Sequence, residues 1–301
     1  MTVVYRSEEV VQTENNTVAL GTFDGLHLGH MEIIKKAISI SEENNTNSGV
    51  MFFDRIPANA FKKDVCHLMT DDEKIKLIDA GFVYEQKFDE KFREKTPEEF
   101  VLYIKDVLKA GCVCAGYNYR FGKNAAGDSE ILKKLCSKYG IRTEILPEFR
   151  KDGESVSSTK IRKYLSDGEI ECANSLLGRP YTVSGYVEKG LQNGRKLGIP
   201  TANISFEKGK QLPGHGVYSG YVYVNGKKYL SVINVGNNPT FNAGSVTVEP
   251  HILDFGGEVY GEYITAEFHY RIRGEIKFDS TDDLVRQINS DIEKCRKDLI
   301  L

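Results

Sequence analysis

No stretch of this sequence approaches the roughly eighteen consecutive apolar residues that a membrane span requires. The opening Met1-Thr-Val-Val-Tyr-Arg-Ser-Glu-Glu9 also lacks an apolar core of signal-peptide length. No membrane partner is expected, and the chain is expected to stay in the cytoplasm. A basic excess is missing too: 40 Lys and Arg against 43 Asp and Glu leave a formal net charge of −3. That balance argues against a protein that coats nucleic acid. Cysteine is sparse, six in 301 residues with no Cys-x-x-Cys pair, so reduced packing thiols are expected rather than a disulfide framework. Cys112 and Cys114, two apart in an apparent strand, are expected to face opposite ways.

What is present is concentrated in Val18-Ala-Leu-Gly-Thr-Phe-Asp-Gly-Leu-His-Leu-Gly-His30. Val18, Ala19 and Leu20 read as a buried strand; Gly21, Gly25 and Gly29 punctuate the loop that follows; Ile33, Ile34, Ala37 and Ile38 then recur at helical spacing. A glycine-bearing loop that empties into a helix N-terminus is suited to phosphate. Unpaired N–H groups and the positive end of the helix dipole attract anions there. His27 and His30 sit at that mouth and can point at one phosphate. The pattern lacks the Glu and the i, i+4 spacing of a helical zinc protease site.

Beyond the first helix, Gly49–Asp54 reads as a second buried strand and Asp71–Gly81 as a helix with acids in its first turn and a glycine stop. Thr96-Pro-Glu-Glu99 is a capping box opening another helix, with Phe100, Ile104, Val107 and Leu108 on one face. The Cys112 strand, a helix around Ile131 to Leu135, and a strand at Arg142 to Leu146 follow. This alternation predicts a Rossmann-like α/β domain, a parallel sheet with helices on both faces and ligands at the carboxyl ends of its strands. Two more loops are expected to converge there. Gly116–Asp128 mixes aromatic, basic and glycine residues; it suits stacking on a planar ring beside phosphate, or is an ordinary turn-rich loop. Val156-Ser-Ser-Thr-Lys-Ile-Arg162 offers three hydroxyls and two cations, and serves equally as an N-cap.

From Thr182 the period becomes two, as in Gly216–Val224, and Asn225-Gly226 is a strong hairpin signal. Strands fit Val246 to Phe255 and Tyr263 to Ile272. An antiparallel β-barrel removes the exposed edges of such a sheet. Ser280-Thr-Asp-Asp283 then starts a terminal helix striped by Leu284, Ile288, Ile292, Cys295 and Leu299. The length suits two domains, placed at residues 1–180 and 181–301 where the period changes.

The opening motif resembles the signature of the adenylyl- and cytidylyl-transferases. Together with Arg120-Phe-Gly122, Gly127-Asp128, Val156–Arg162 and Leu177-Gly-Arg-Pro-Tyr181, it resembles the bacterial bifunctional riboflavin kinase/FAD synthetase family. Gly194-Arg-Lys-Leu-Gly-Ile-Pro-Thr-Ala-Asn203, Pro213–Tyr218, Asn234–Phe241 and Val248-Glu-Pro-His-Ile-Leu-Asp-Phe255 continue the likeness through the second half.

The resemblance implies two transfers from ATP: riboflavin to FMN in the second half, FMN to FAD with loss of pyrophosphate in the first. It implies that His27 and His30, with Gly21, Phe23, Asp24, Gly25 and Gly29, meet the nucleotide phosphates, while Ser157, Ser158, Thr159 and Arg162 hold the departing pyrophosphate. Asp54, Asn118, Arg120 and Phe121 are expected at the flavin or adenine. In the kinase half it implies Glu249 as base, Gly194, Lys196, Gly198, Pro200, Thr201 and Asn203 at ATP, and Mg2+ on Thr201 and Asn203. On the residues alone, Thr201 is equally a strand-edge hydroxyl and Glu249 a solvated strand residue. The chain departs from the family's Phe-Glu-Pro-His-Pro at Phe53-Asp-Arg-Ile-Pro57, carries Asn118 where Asp is common, and has Asn238 for an Arg. The alternative is a monofunctional nucleotidyltransferase whose barrel is a flavin-binding regulatory module. A monomer or weak homo-oligomer is expected.

Overall fold

A computed structural model describes residues 2–57, 65–189, 198–237 and 246–299. The chain divides into two compact units, residues 1–158 and 159–301.

The first unit is built on a six-stranded, all-parallel sheet in the order β1-β4-β3-β2-β5-β6. Its strands are β1 (Val3–Arg6), β2 (Asn16–Leu20), β3 (Ser48–Phe53), β4 (Phe82–Gln86), β5 (Ala110–Gly116) and β6 (Arg142–Leu146). β2 is buried along its whole length, as a central parallel strand covered on both faces must be. Helix α1 (Leu28–Glu43) covers one face with Ile34, Ala37 and Ile40. The short α3 (Glu90–Arg93), α4 (Pro97–Asp106) and α5 (Ser129–Lys138) lie against the other core, to which Phe92, Phe100, Val101, Ile104, Leu132 and Cys136 contribute. Thr96 caps α4 through the expected box with Glu99. Between β2 and β5 the chain reverses its direction of progress along the sheet, and ligands in such folds bind at the carboxyl ends of the strands beside this switch point.

Two expectations change. Cys112 and Cys114 share one face and one core, that of α1, while Val113 and Ala115 face the other. The reason is the strand period of two: residues i and i+2 point the same way. The two thiols are hydrogen-bonded, which together with burial holds Cys114 well above the usual thiol range. Helix α2 runs over Asp71–Leu77 and stops before Gly81, because Ile78 turns to extended backbone and buries its side chain.

In the second unit, β9 (Tyr181–Glu188), β10 (Asn203–Phe206), β11 (Gly216–Val224), β12 (Lys227–Asn237), β13 (Val246–Ile252) and β14 (Tyr263–Arg273) form an antiparallel sheet in the order β10-β9-β14-β11-β12-β13. Asn225 and Gly226, both at positive φ (48° and 76°), make the two-residue turn between β11 and β12. Ala202 N–H to Pro250 C=O, 2.9 Å, brings the outermost strands together, so the sheet curls into a near-closed barrel. Helices α6 (Ser158–Asp167) and α7 (Ile170–Leu177) precede it. Asn174 stitches α7 to the barrel, donating to the Phe268 carbonyl at 2.8 Å and accepting from Tyr181 N–H at 2.7 Å. The terminal helix α8 (Thr281–Leu299) is capped by Ser280, whose hydroxyl accepts from Asp283 N–H. Ile292, Cys295 and Leu299 pack on Val217, Val232 and Leu253.

Candidate active sites

The loop between β2 and α1 is shaped by three non-helical residues at positive φ, Phe23, Gly25 and Leu26 (49°, 83° and 40°). Bulky residues rarely adopt this region, and here the fully buried Phe23 and Leu26 side chains hold it. At Gly25 a Cβ would lie 2.7 Å from Leu68 Cδ1, so glycine is required by both backbone and space. The buried Asp24 carboxylate accepts the Leu68 N–H at 2.8 Å, and the Asp24 carbonyl accepts the Ser158 hydroxyl at 2.9 Å. Asp24 thus ties the loop to two other segments of its unit.

His27 is the N-cap of α1. Its Nδ1 accepts from His30 N–H at 3.2 Å, which places the ring's proton on Nε2 and leaves that nitrogen as a donor. The two imidazoles stack at 3.5 Å between centroids and 15° between planes, and Phe23 meets His30 edge-on at 5.3 Å. Gly29 keeps space beneath the His27 ring, since a Cβ there would stand 3.4 Å from it and 3.3 Å from Phe149. Leu28 and Gly29 amides have no acceptor among the described residues, as the first turn of a helix requires. Donors from a ring, two main-chain amides and a helix dipole therefore share one mouth.

The structure places the remaining expected residues of the first half variously. Ser157 and Ser158 follow the short antiparallel pair β7 (Arg150–Lys151) and β8 (Glu154–Ser155), which the sequence reading missed; Asp152-Gly153 at its tip was the signal. Thr159 and Arg162 lie at the start of α6, in the second unit. Gly21 leaves β2, with Phe23 beneath it. The Asp54 carboxylate accepts the Phe88 N–H at 2.9 Å and meets Arg55. After β5, Arg120 is exposed and lies 3.7 Å from Asp128, and Asn118 stands beside Gly116. Phe121 is only 5% exposed; it bridges to Gly127 and packs on Phe100 and Tyr119. Its ring forms the floor of that loop.

In the barrel, Val248, Pro250, Ile252, Ala202 and Ile204 are buried. Alternation then puts Asn203, Thr247, Glu249 and His251 on the opposite side of adjacent strands, and the half-buried Thr201, just before β10, continues the same alternation of exposure. The Thr247 hydroxyl lies 2.9 Å from Glu249 Oε1 and 3.2 Å from the Gly236 carbonyl, and His251 Nδ1 lies 2.7 Å from the Pro200 carbonyl. Gly198 precedes this segment at φ 74°. Gly194, Lys196 and Asn238 lie outside the described residues. Thr247 and His251 were missed as neighbours of Glu249, although the alternation in Thr247-Val-Glu-Pro-His251 already places them on its face.

Comparison with known proteins supplies the class. Residues 10–160 match the FAD synthetase family and residues 177–299 the riboflavin kinase family. A flavin-directed transferase with two different catalytic domains is thereby defined. The chain belongs to the bifunctional riboflavin kinase/FMN adenylyltransferase family. A protein of that name from Listeria monocytogenes is 34% identical over 289 residues, 94% of this chain and 92% of the relative. One from Bacillus subtilis is 33% identical, covering 92% and 90%. A crystal structure from Streptococcus pneumoniae, named a macrolide-efflux protein, has TM-score 0.89 at 31% identity, covering 98% of this chain and 99% of that one. Among the described residues of the present chain, no helix is long and apolar enough to cross a membrane.

Proposed function

We propose that the two reactions of this enzyme, phosphorylation of riboflavin to FMN and adenylylation of FMN to FAD, use separate sets of side chains. Groups of the first reside in residues 181–301, groups of the second in residues 1–180. The observation that carries this is the presence of both sets in one chain: His27 fixed by the His30 amide at a helix start, and Thr201, Asn203 and Glu249 on one side of adjacent barrel strands. The same observation weighs against a barrel that only regulates, because a regulatory module needs no carboxylate beside a Thr-x-Asn segment.

Adenylylation needs positioning and neutralisation more than proton transfer. The FMN phosphate, already an anion, attacks the α-phosphorus of ATP, and the bond to pyrophosphate breaks. His27 Nε2–H, His30 and the Leu28 and Gly29 amides donate to the phosphate oxygens as charge builds. Ser157, Ser158, Thr159 and Arg162 hold the pyrophosphate. Gly21, Phe23, Asp24 and Gly25 shape the loop, while Asp54, Asn118 and Arg120 meet the flavin or adenine above the Phe121 ring.

Kinase chemistry differs. The riboflavin 5′-hydroxyl must lose a proton as its oxygen attacks the γ-phosphorus of ATP, and Glu249 accepts that proton. The Thr201 hydroxyl and Asn203 amide oxygen, hard and neutral, are the residues that would hold Mg2+ with the nucleotide. Bound there, the ion would supply charge neutralisation at the phosphates. Gly194, Lys196, Gly198 and Pro200 complete the ATP contact. We further propose a cytoplasmic enzyme, a monomer or weak homo-oligomer, with no nucleic-acid partner. Incubation with riboflavin, ATP and magnesium followed by chromatography tests the reading: FMN and FAD should both form, and absence of either refutes it.

A further inference from the structure

We infer that His251 is a positioning residue for phosphoryl transfer: its ring holds the Pro200 carbonyl and so fixes Thr201 and Asn203 beside Glu249. The inference rests on the roles assigned above to those three residues. A carbonyl oxygen can only accept, so the 2.7 Å contact requires the proton on His251 Nδ1. The seam that this bond crosses is thin. Pro200 and Pro250 each lack an N–H, which removes rungs from any ladder between the two segments. Among the described residues a single backbone hydrogen bond, Ala202 N–H to Pro250 C=O at 2.9 Å, joins them. The buried side chains of Ile199 and Ala202 anchor the segment on either side of Thr201, but neither holds the Pro200 carbonyl. The imidazole supplies the second bond, one residue before Thr201.

β13 therefore carries three roles on one face. Glu249 is the base, Thr247 holds its carboxylate at 2.9 Å, and His251 holds the segment bearing the metal donors. Groups that orient a metal's ligands without touching the ion typically change affinity by about 10- to 100-fold when removed.

The test uses the full chain with His251→Ala and His251→Asn, since the Asn amide nitrogen falls near the position of Nδ1. Riboflavin phosphorylation is measured against magnesium and ATP, and amide hydrogen exchange at residues 198–206 is followed without nucleotide. His251→Ala should raise the half-saturating magnesium-ATP concentration about 10-fold or more with kcat changed much less. Its Ala202 amide should exchange faster while β11 and β14 stay protected. His251→Asn should restore both, and FAD formation from supplied FMN should be untouched. Unchanged half-saturation in His251→Ala, or failure of Asn to rescue, overturns the inference. If His251→Ala unfolds the barrel, Asn is compared with His251→Gln, whose amide nitrogen falls near Nε2: Asn near wild type with Gln impaired supports the inference, and the two alike overturn it. Wild-type phosphorylation by Glu249→Gln and Thr201→Ala would instead refute the underlying site assignment.

Discussion

In the first unit the groups proposed to stabilise the reacting phosphate come from one unbroken stretch, Phe23 to His30, whose backbone and two rings are set by its own turns. In the barrel the proposed groups come from β13 and from the segment that leads into β10, joined where Pro200 and His251, 51 positions apart, meet. The contrast follows from the chemistry. Transfer to an anionic nucleophile needs donors and a dipole, which a loop at a helix start provides. Activating a hydroxyl needs a carboxylate and hard oxygen donors at fixed separation, which adjacent strands of a barrel provide.

The sharpest way to break this comparison is to delete one group from each side. Glu249→Gln should lower riboflavin phosphorylation by about 10²- to 10⁴-fold and leave FAD formation from FMN intact. His27→Ala should lower adenylylation by about 10²- to 10³-fold, the usual effect of losing one charge-stabilising donor, and leave FMN formation intact. Initial rates with each substrate supplied separately check both.

Stability should separate the units next. Asp291, 2% exposed, receives Arg273 through two nitrogens at 2.8 and 3.0 Å and Gln287 at 2.9 Å. Asp291→Ala strands a largely buried cation and should cost about 3–5 kcal/mol, seen as an early barrel transition in denaturation. Asp24→Ala removes the buried carboxylate that accepts the Leu68 N–H and should cost about 1–3 kcal/mol, confined to the first unit.

The smallest expected effect is a pH dependence confined to the barrel. Burial pushes the Glu267 carboxyl up, but the hydrogen bond from His269 and the charge and hydrogen bond of Lys228 outweigh it and hold the group below its ordinary 4.5. A depressed carboxylate stabilises the fold fully above its unfolded value, and the stabilisation is lost as pH falls through the folded value. Melting of the barrel should therefore drop on acidification below pH 4.5, by at most about 1 kcal/mol. Glu267→Gln should flatten that limb; an unchanged acid limb would contradict the role given to Glu267.

Much of this was legible in the sequence because it is local. The strand, loop and helix start around His27, the Thr96 box and the Asn225-Gly226 turn each need only neighbouring residues. What escaped depends on partners far along the chain. Phe121 reads as a loop aromatic until its bridge to Gly127 turns the ring into the core. Nothing near Asp24 in the chain announces that its carboxylate accepts the N–H of Leu68, 44 positions on. β1 and β4 are short, and their pairing with each other places Val3 beside Phe82, a register that no local period announces. The Asp291 ion pair interrupts an otherwise apolar stripe and so is invisible to pattern alone.

The central claim, one reaction to each set of groups, is tested most directly by mixing Glu249→Gln with His27→Ala and supplying riboflavin, ATP and magnesium. Alone, Glu249→Gln should form almost no FMN and hence almost no FAD, and His27→Ala should accumulate FMN. Together they should form FAD at a rate limited by FMN passing through solution from one variant to the other. A mixture that forms no more FAD than either variant alone would contradict the account.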